Sequence, residues 1–303
     1  MMTVSGIPPS ILTSEVVPTS ISILALLASG FSVYTAYRVS IRQKIGETNK
    51  AEIRSNELCH AAWKLLGAGG KFPSPYETDF KGARDIEGAR VKIETALKVS
   101  PDNAYAYCLR AISEIVVGRK TDLIESDFKQ ALALDEVNKQ ATVHYGLYLG
   151  EFYRYYFGGK RYLGGIRIDD AINLLEDAIE RDQDFSAAMH SLALVYINKK
   201  YDDDALKLLI KALKIEPKNL MYLYDLGWLY YKIDRHKNGL EQLQAAVDNG
   251  ANSVRVYYFK ALCEERMDKL ECARDSILKA HQHKPKDPEV KTALDRIEKK
   301  ISK

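Results

Sequence analysis

The chain has 303 residues, 46% of them hydrophobic and 28% charged, which excludes a disordered chain and a polytopic membrane protein. Its 44 basic and 41 acidic residues are mixed along the sequence and leave a net charge of +3, too weak and too dispersed a field to point to nucleic acid as the partner. The four cysteines, Cys59, Cys108, Cys263 and Cys272, show no C-x-x-C spacing, so they read as small buried fillers in a reducing compartment.

Residues 1–15 form a short tail with Glu15 as its one charge, and residues 16–37 contain no charge at all. Twenty-two such residues suffice for one transmembrane helix. A cleaved signal peptide would carry a basic n-region, but no Lys or Arg precedes Arg38, so a retained anchor is the better reading and a helix lying in the membrane plane the weaker one. Arg38, Arg42, Lys44 and Lys50 fill a basic juxtamembrane linker, residues 38–50, and place the C-terminal remainder of the chain on the cytoplasmic side of a single-pass membrane protein. A bacterial inner membrane suits this pattern, and so does an organellar outer membrane. Within the span, Ser22, Ala25, Ser29, Ser32 and Ala36 fall on one helical face, where small side chains permit close helix packing and hence a homo-oligomer. The plain alternative is a chance stripe of common residues.

From residue 51 onward the pattern becomes helical and repetitive. A helix over 47–66 pairs with one over 82–99 across a Gly/Pro-rich insertion, 67–80, and Ala96-Leu97 with Pro101 closes this first, divergent unit. Ala131-Leu132 with Asp135 closes the second. The third unit carries an extra stretch, 154–167, in which Tyr155, Tyr156 and Phe157 alternate with Arg154, Lys160, Arg161 and Arg167. That mixture suits a fold-back onto the helices or, as an alternative, contact with nucleic acid or anionic lipid.

The clearest ladder lies in the C-terminal half: Ala178, Ala212, Ala246 and Ala280 are each 34 residues apart. In residues 186–217 the order is Leu192-Ala193, Tyr196, Ala205, Leu209, Ala212, Pro217. Residues 220–251 repeat it with Leu226-Gly227, Tyr230, Gly239, Leu243 and Ala246, and residues 254–285 with Ala261, Ala273, Ile277, Ala280 and Pro285. Small residues at fixed places let two helices cross closely, and proline stops the second helix. Residues 288–303 read as a polar cap over the last apolar edge.

This spacing resembles the tetratricopeptide repeat family, here a membrane-anchored member, over residues 51–303. The resemblance implies an all-α superhelical solenoid of about six helix pairs with a capping helix, preceded by one transmembrane helix. It further implies a scaffold that recruits a protein or peptide partner through a concave groove, with no catalysis and no cofactor. Reading the first helices in register gives Tyr224, Trp228, Tyr231, Arg255, Tyr258 and Phe259 as groove residues, with His190 and Leu194 at equivalent places in the preceding repeat. Aromatic anchors carry much of the binding energy in protein interfaces. With Arg255 as the one basic residue among these places, a clamp for an acidic chaperone tail fits less well than a site for an extended apolar or tyrosine-accepting peptide.

Sites for other chemistry are weak. Gly67-Ala68-Gly69-Gly70-Lys71 lacks the spacing of a phosphate loop and has Phe72 where a hydroxyl belongs. His281 and His283 form a pair without a third metal ligand and read as surface histidines. An enzyme with an unrecognised site is the third alternative.

Overall fold

The computed structural model describes residues 20–66, with side chains from residue 38, and residues 85–117, 122–150 and 167–302. The side chains of the uncharged 16–37 segment, the insertion 67–80 and all of the insertion 154–167 except Arg167 lie outside the described residues. By internal contacts the chain separates into two units, Met1–Ile53 and Arg54–Lys303.

The first helix, α1, runs unbroken from Ser20 to Leu66, so the basic stretch 38–50 is helical. In the first unit it leaves Val39, Ile45 and Ile53 exposed among the basic residues. Among the residues whose side chains are described, no helix is long and apolar enough to cross a membrane.

In the second unit the described residues form twelve further helices: α2 (Ile86–Val99), α3 (Ala104–Val117), α4 (Asp122–Leu134), α5 (Lys139–Leu149), α6 (Ile168–Arg181), α7 (Ser186–Asn198), α8 (Asp202–Ile215), α9 (Leu220–Lys232), α10 (His236–Asp248), α11 (Val254–Arg266), α12 (Leu270–His283) and α13 (Pro288–Ile301). Among the described residues there is no strand. The end of α1 joins α2 through Ser55, whose hydroxyl donates to the Ala96 carbonyl at 3.0 Å and accepts from Asn103 Nδ2 at 2.8 Å. The pairs α3–α4, α5–α6, α7–α8, α9–α10 and α11–α12 are antiparallel hairpins, and α13 closes the array.

The first helix of a hairpin also contacts the first helix of the next, as α3 does α5, α5 does α7, α9 does α11 and α11 does α13. Successive second helices, among the described residues, make no comparable contact. A layer whose members lie closer together is the inside of a curve, so the first helices form the inner layer and the second helices the outer one. The sequences agree. Outer helix α6 confines Ala171 and Leu175 to one buried stripe under Asp169, Asp170, Glu176 and Asp177, whereas inner α7 is apolar almost all round and buries every residue from Ala188 to Val195.

The 34-residue pattern has direct steric causes. A Cβ on Gly227 would lie 2.7 Å from Leu243 Cγ, and one on Gly146 would lie 2.8 Å from Leu175 Cγ, so these places accept only the smallest side chains. Ala205, Leu209, Ala212, Leu243, Ala246, Ala273, Ile277 and Ala280 are fully buried, forming successive core clusters that join neighbouring hairpins. Each large apolar side chain so buried contributes about 1.5–3 kcal/mol.

Within three hairpins the first helix ends in the same way. The amides of Tyr201, Arg235 and Lys269 donate back to the carbonyls of Tyr196, Tyr230 and Glu264 at 2.9, 2.8 and 2.9 Å. The residue before each, Lys200, Asp234 or Asp268, is left-handed with φ near 60°. This is the Schellman closure, which usually holds glycine at that position.

Candidate functional site

An inner surface can serve recognition only where it is open. On α3, α5 and α7 its centre is closed, since Cys108, Ile112, Ile115, Leu147, His190 and Leu194 are buried, while Tyr105, Gln140, Val143 and Ile197 toward the helix ends are not. His190 and Leu194, equivalent in register to groove residues, are therefore structural. His190 Nε2 lies 2.6 Å from Asp225 Oδ2, and the imidazole stacks on Tyr222 with centroids 4.7 Å apart. Burial pushes His190 down to about 3 and holds Asp225 well above the carboxylate range. This buried contact links α7 to α9.

On α9, α11 and α13 the inner face opens. Trp228, Tyr231, Arg255, Tyr258 and Phe259 are half-buried, while Tyr224 is 5% exposed. The rings form one cluster. Phe259 stands at its centre, 6.1 Å from Tyr224, 5.6 Å from Tyr231 and 5.2 Å from Tyr258. Phe259 and Tyr224 thus hold adjacent hairpins together, and Tyr258 and Tyr231 sit around them with part of each ring accessible. Burial raises both Tyr224 and Tyr258 above the ordinary phenol value, so both stay protonated at neutral pH.

Trp228 touches two core clusters, one on either side of α9, and its ring carries Lys232 Nζ 5.9 Å from the centroid. It therefore packs and faces outward at once. Arg255, half-buried, pairs with the exposed Glu289 of α13 at 3.5 Å.

The cap contributes residues beyond the six expected in the groove. Arg296 of α13 reaches back to Glu265 of α11 with two hydrogen bonds of 2.9 and 2.7 Å, and Lys300 joins the same carboxylate at 2.8 Å. These partners hold Glu265 below the carboxylate range against the effect of its burial. A fixed spacing marks this end of the surface in the sequence: Lys232, Arg266 and Lys300 stand 34 residues apart, a basic residue at the end of each of the last three inner helices.

Three further expectations are answered by the described residues. Cys59, Cys108 and Cys263 are buried with raised thiol pKa values, as fillers should be, but Cys272 is exposed on α12 and is not one. Arg167, counted among the basic residues of the 154–167 insertion, is engaged by Glu125 and Asp170, each at 2.5 Å. His283 Nε2 donates to Asn252 Oδ1 at 2.9 Å and the ring stacks on Tyr257, so it is tied to a neighbouring loop and helix. Among the described residues no group of three or more His, Cys, Asp or Glu side chains could hold a metal ion.

The described helices of the second unit form a helical-repeat solenoid. Residues 189–254 match the family model described as the tetratricopeptide repeat. None of the curated proteins matches the chain. Among solved structures, the chain is similar to pilF of Pseudomonas aeruginosa, with 17% identity and a TM-score of 0.60, covering 82% of this chain and 99% of that one. PilW, described as a widely conserved type IV pilus biogenesis factor, gives 15% identity and a TM-score of 0.60 over 79% of this chain and 98% of its own. The Cut9–Hcn1 hetero-tetramer of the APC/C gives 19% identity and 0.59 over 83% of this chain and 46% of that one. At such identities the likeness is one of fold.

Proposed function

We propose that this chain is a membrane-anchored scaffold whose solenoid recruits a protein partner through the inner face of α9, α11 and α13. The observation that carries the reading is the accessible row of Trp228, Tyr231 and Tyr258 on adjacent inner helices, the residue types that supply interface energy. The solenoid performs no reaction and needs no cofactor. Its task is to hold another protein at a membrane.

The anchor is the uncharged stretch 16–37, supported by its length and by the basic residues behind it. On this reading the solenoid faces the cytoplasm, a bacterial inner membrane is the setting with an organellar outer membrane as the eukaryotic equivalent, and Ser22, Ala25, Ser29, Ser32 and Ala36 pair two spans. Capture with the tagged full-length chain, solubilised in detergent, tests the recognition step. A retained protein that is lost from the Tyr258→Ala variant supports the reading; a set of retained proteins unchanged by Tyr258→Ala combined with Trp228→Ala contradicts it.

A further inference from the structure

The open inner face is not only aromatic. In the 34-residue register Lys232, Arg266 and Lys300 occupy one place, and Tyr231, Glu265 and Lys299 the place before it. With Arg255 and Arg296, six cations stand on the inner register positions of α9, α11 and α13. The carboxylates that answer them are Glu265, Glu289 and, from α8, Asp202.

Each carboxylate is already committed. Glu265 is buried and shared by Arg296 and Lys300, Glu289 meets Arg255 at 3.5 Å, and Asp202 meets Lys232 at 2.6 Å. Arg266 and Lys299 lie exposed beside them. The surface therefore keeps an excess of positive charge next to half-buried rings. By contrast, the same register positions on α3 hold Tyr105, Cys108, Ile112, Ile115 and Val116, and on α7 Ala187, His190, Leu194, Ile197 and Asn198, none of them acidic or basic except the histidine. The charge is thus a local feature of the open end.

We propose that the partner is recognised through an acidic segment that also carries an aromatic or aliphatic side chain, its carboxylates running along Lys232, Arg266 and Lys300 while the apolar group seats between Trp228, Tyr231 and Tyr258. This inference rests on the reading of the inner face as the recognition surface and specifies its chemistry. Charge-assisted hydrogen bonds to carboxylates give such a contact direction, and the rings give it affinity. A nucleic acid meets the same cations less well, because the rest of the chain mixes both signs and offers no broad basic track for a phosphate backbone.

Selection of random dodecapeptides on the immobilised full-length chain in detergent tests the inference. Enriched peptides are expected to carry net negative charge and at least one aromatic or large aliphatic residue. A selected peptide is expected to bind about tenfold more weakly to Arg266→Glu combined with Lys299→Glu, and to weaken as salt rises. Both substituted side chains are exposed, and an unchanged melting temperature confirms that the variant is folded. Enriched peptides that are neutral or basic, yet are lost from Tyr258→Ala, overturn the acidic-segment inference and leave the recognition surface standing. Peptides unaffected by Tyr258→Ala overturn both, as does the absence of enrichment over the bare support. Tighter retention of a single-stranded uridine dodecamer than of any selected peptide also overturns the inference.

Discussion

Tyr224 and Tyr258 hold the same place in successive repeats, yet one is buried and the other half open. Truncating them should therefore have different effects. Tyr224→Ala is expected to cost about 3–5 kcal/mol of stability, the range for buried aromatic truncations, so any loss of binding in that variant reports unfolding. Tyr258→Ala is expected to lower affinity with a smaller change in melting temperature; urea titration and binding on the same preparations separate the two. Trp228 belongs to both groups, and Trp228→Ala should reduce stability and affinity together. His144 gives a pH prediction. Burial against the solenoid core, near Trp63, depresses it to about 3 from an ordinary value of 6.5. Its unfolded form takes up a proton first, so the stability it contributes is present above pH 6.5 and is lost as pH falls toward 3. His144→Leu should shrink the drop in urea midpoint between neutral pH and the acid range; an unchanged drop would contradict the assignment. His190 titrates in the same direction, but its partner Asp225 is shifted the opposite way, so that pair is the poorer reporter.

The hairpin closures make their own prediction at the level of elements. Lys200, Asp234 and Asp268 adopt a left-handed backbone that costs an L-residue about 1–2 kcal/mol, while glycine there would forfeit about 0.5–1 kcal/mol of chain entropy. Lys200→Gly should therefore stabilise the solenoid by about 0.5–1 kcal/mol. Asp234→Gly should gain less, because aspartate tolerates this conformation better. The shift in urea midpoint measures both, and a loss in Lys200→Gly would show that the lysine contributes something beyond its backbone conformation. The helices themselves are legible in the sequence because small residues at Ala193, Gly227 and Ala261, prolines 217 and 285, and the Ala ladder are local consequences of packing at one spacing. The enclosure of α5 and α7 is not. Whether His190 or Leu194 meets solvent depends on what surrounds the inner layer, and no periodicity in α7 records it. The exposure of Cys272 is hidden for the same reason: cysteine is usually buried, but its side of α12 is set by neighbours. Lys232, Arg266 and Lys300 are readable at the 34-residue period, yet they stand outside the packing positions that carry the repeat pattern, so the pattern alone does not draw attention to them.

For the whole molecule, the anchor and the inner face make separable claims. If residues 16–37 cross the membrane with the solenoid inside, protease added to intact cells leaves residues 51–303 whole, and lysis exposes them; cleavage within the repeats from outside reverses the orientation. Ser29→Leu with Ser32→Leu should reduce cross-linking between membrane-embedded chains if the small face pairs two spans. The central claim is that the partner meets the solenoid on its open inner side. The most direct test places a photoactivatable cross-linking residue at Tyr258 of α11 and, separately, at Lys207 on the outer face of α8, in otherwise intact full-length chains in cells. A discrete adduct with another protein is expected from position 258 and none of that size from position 207. Adducts of the same protein from position 207 alone, or equally from both, would contradict the central claim.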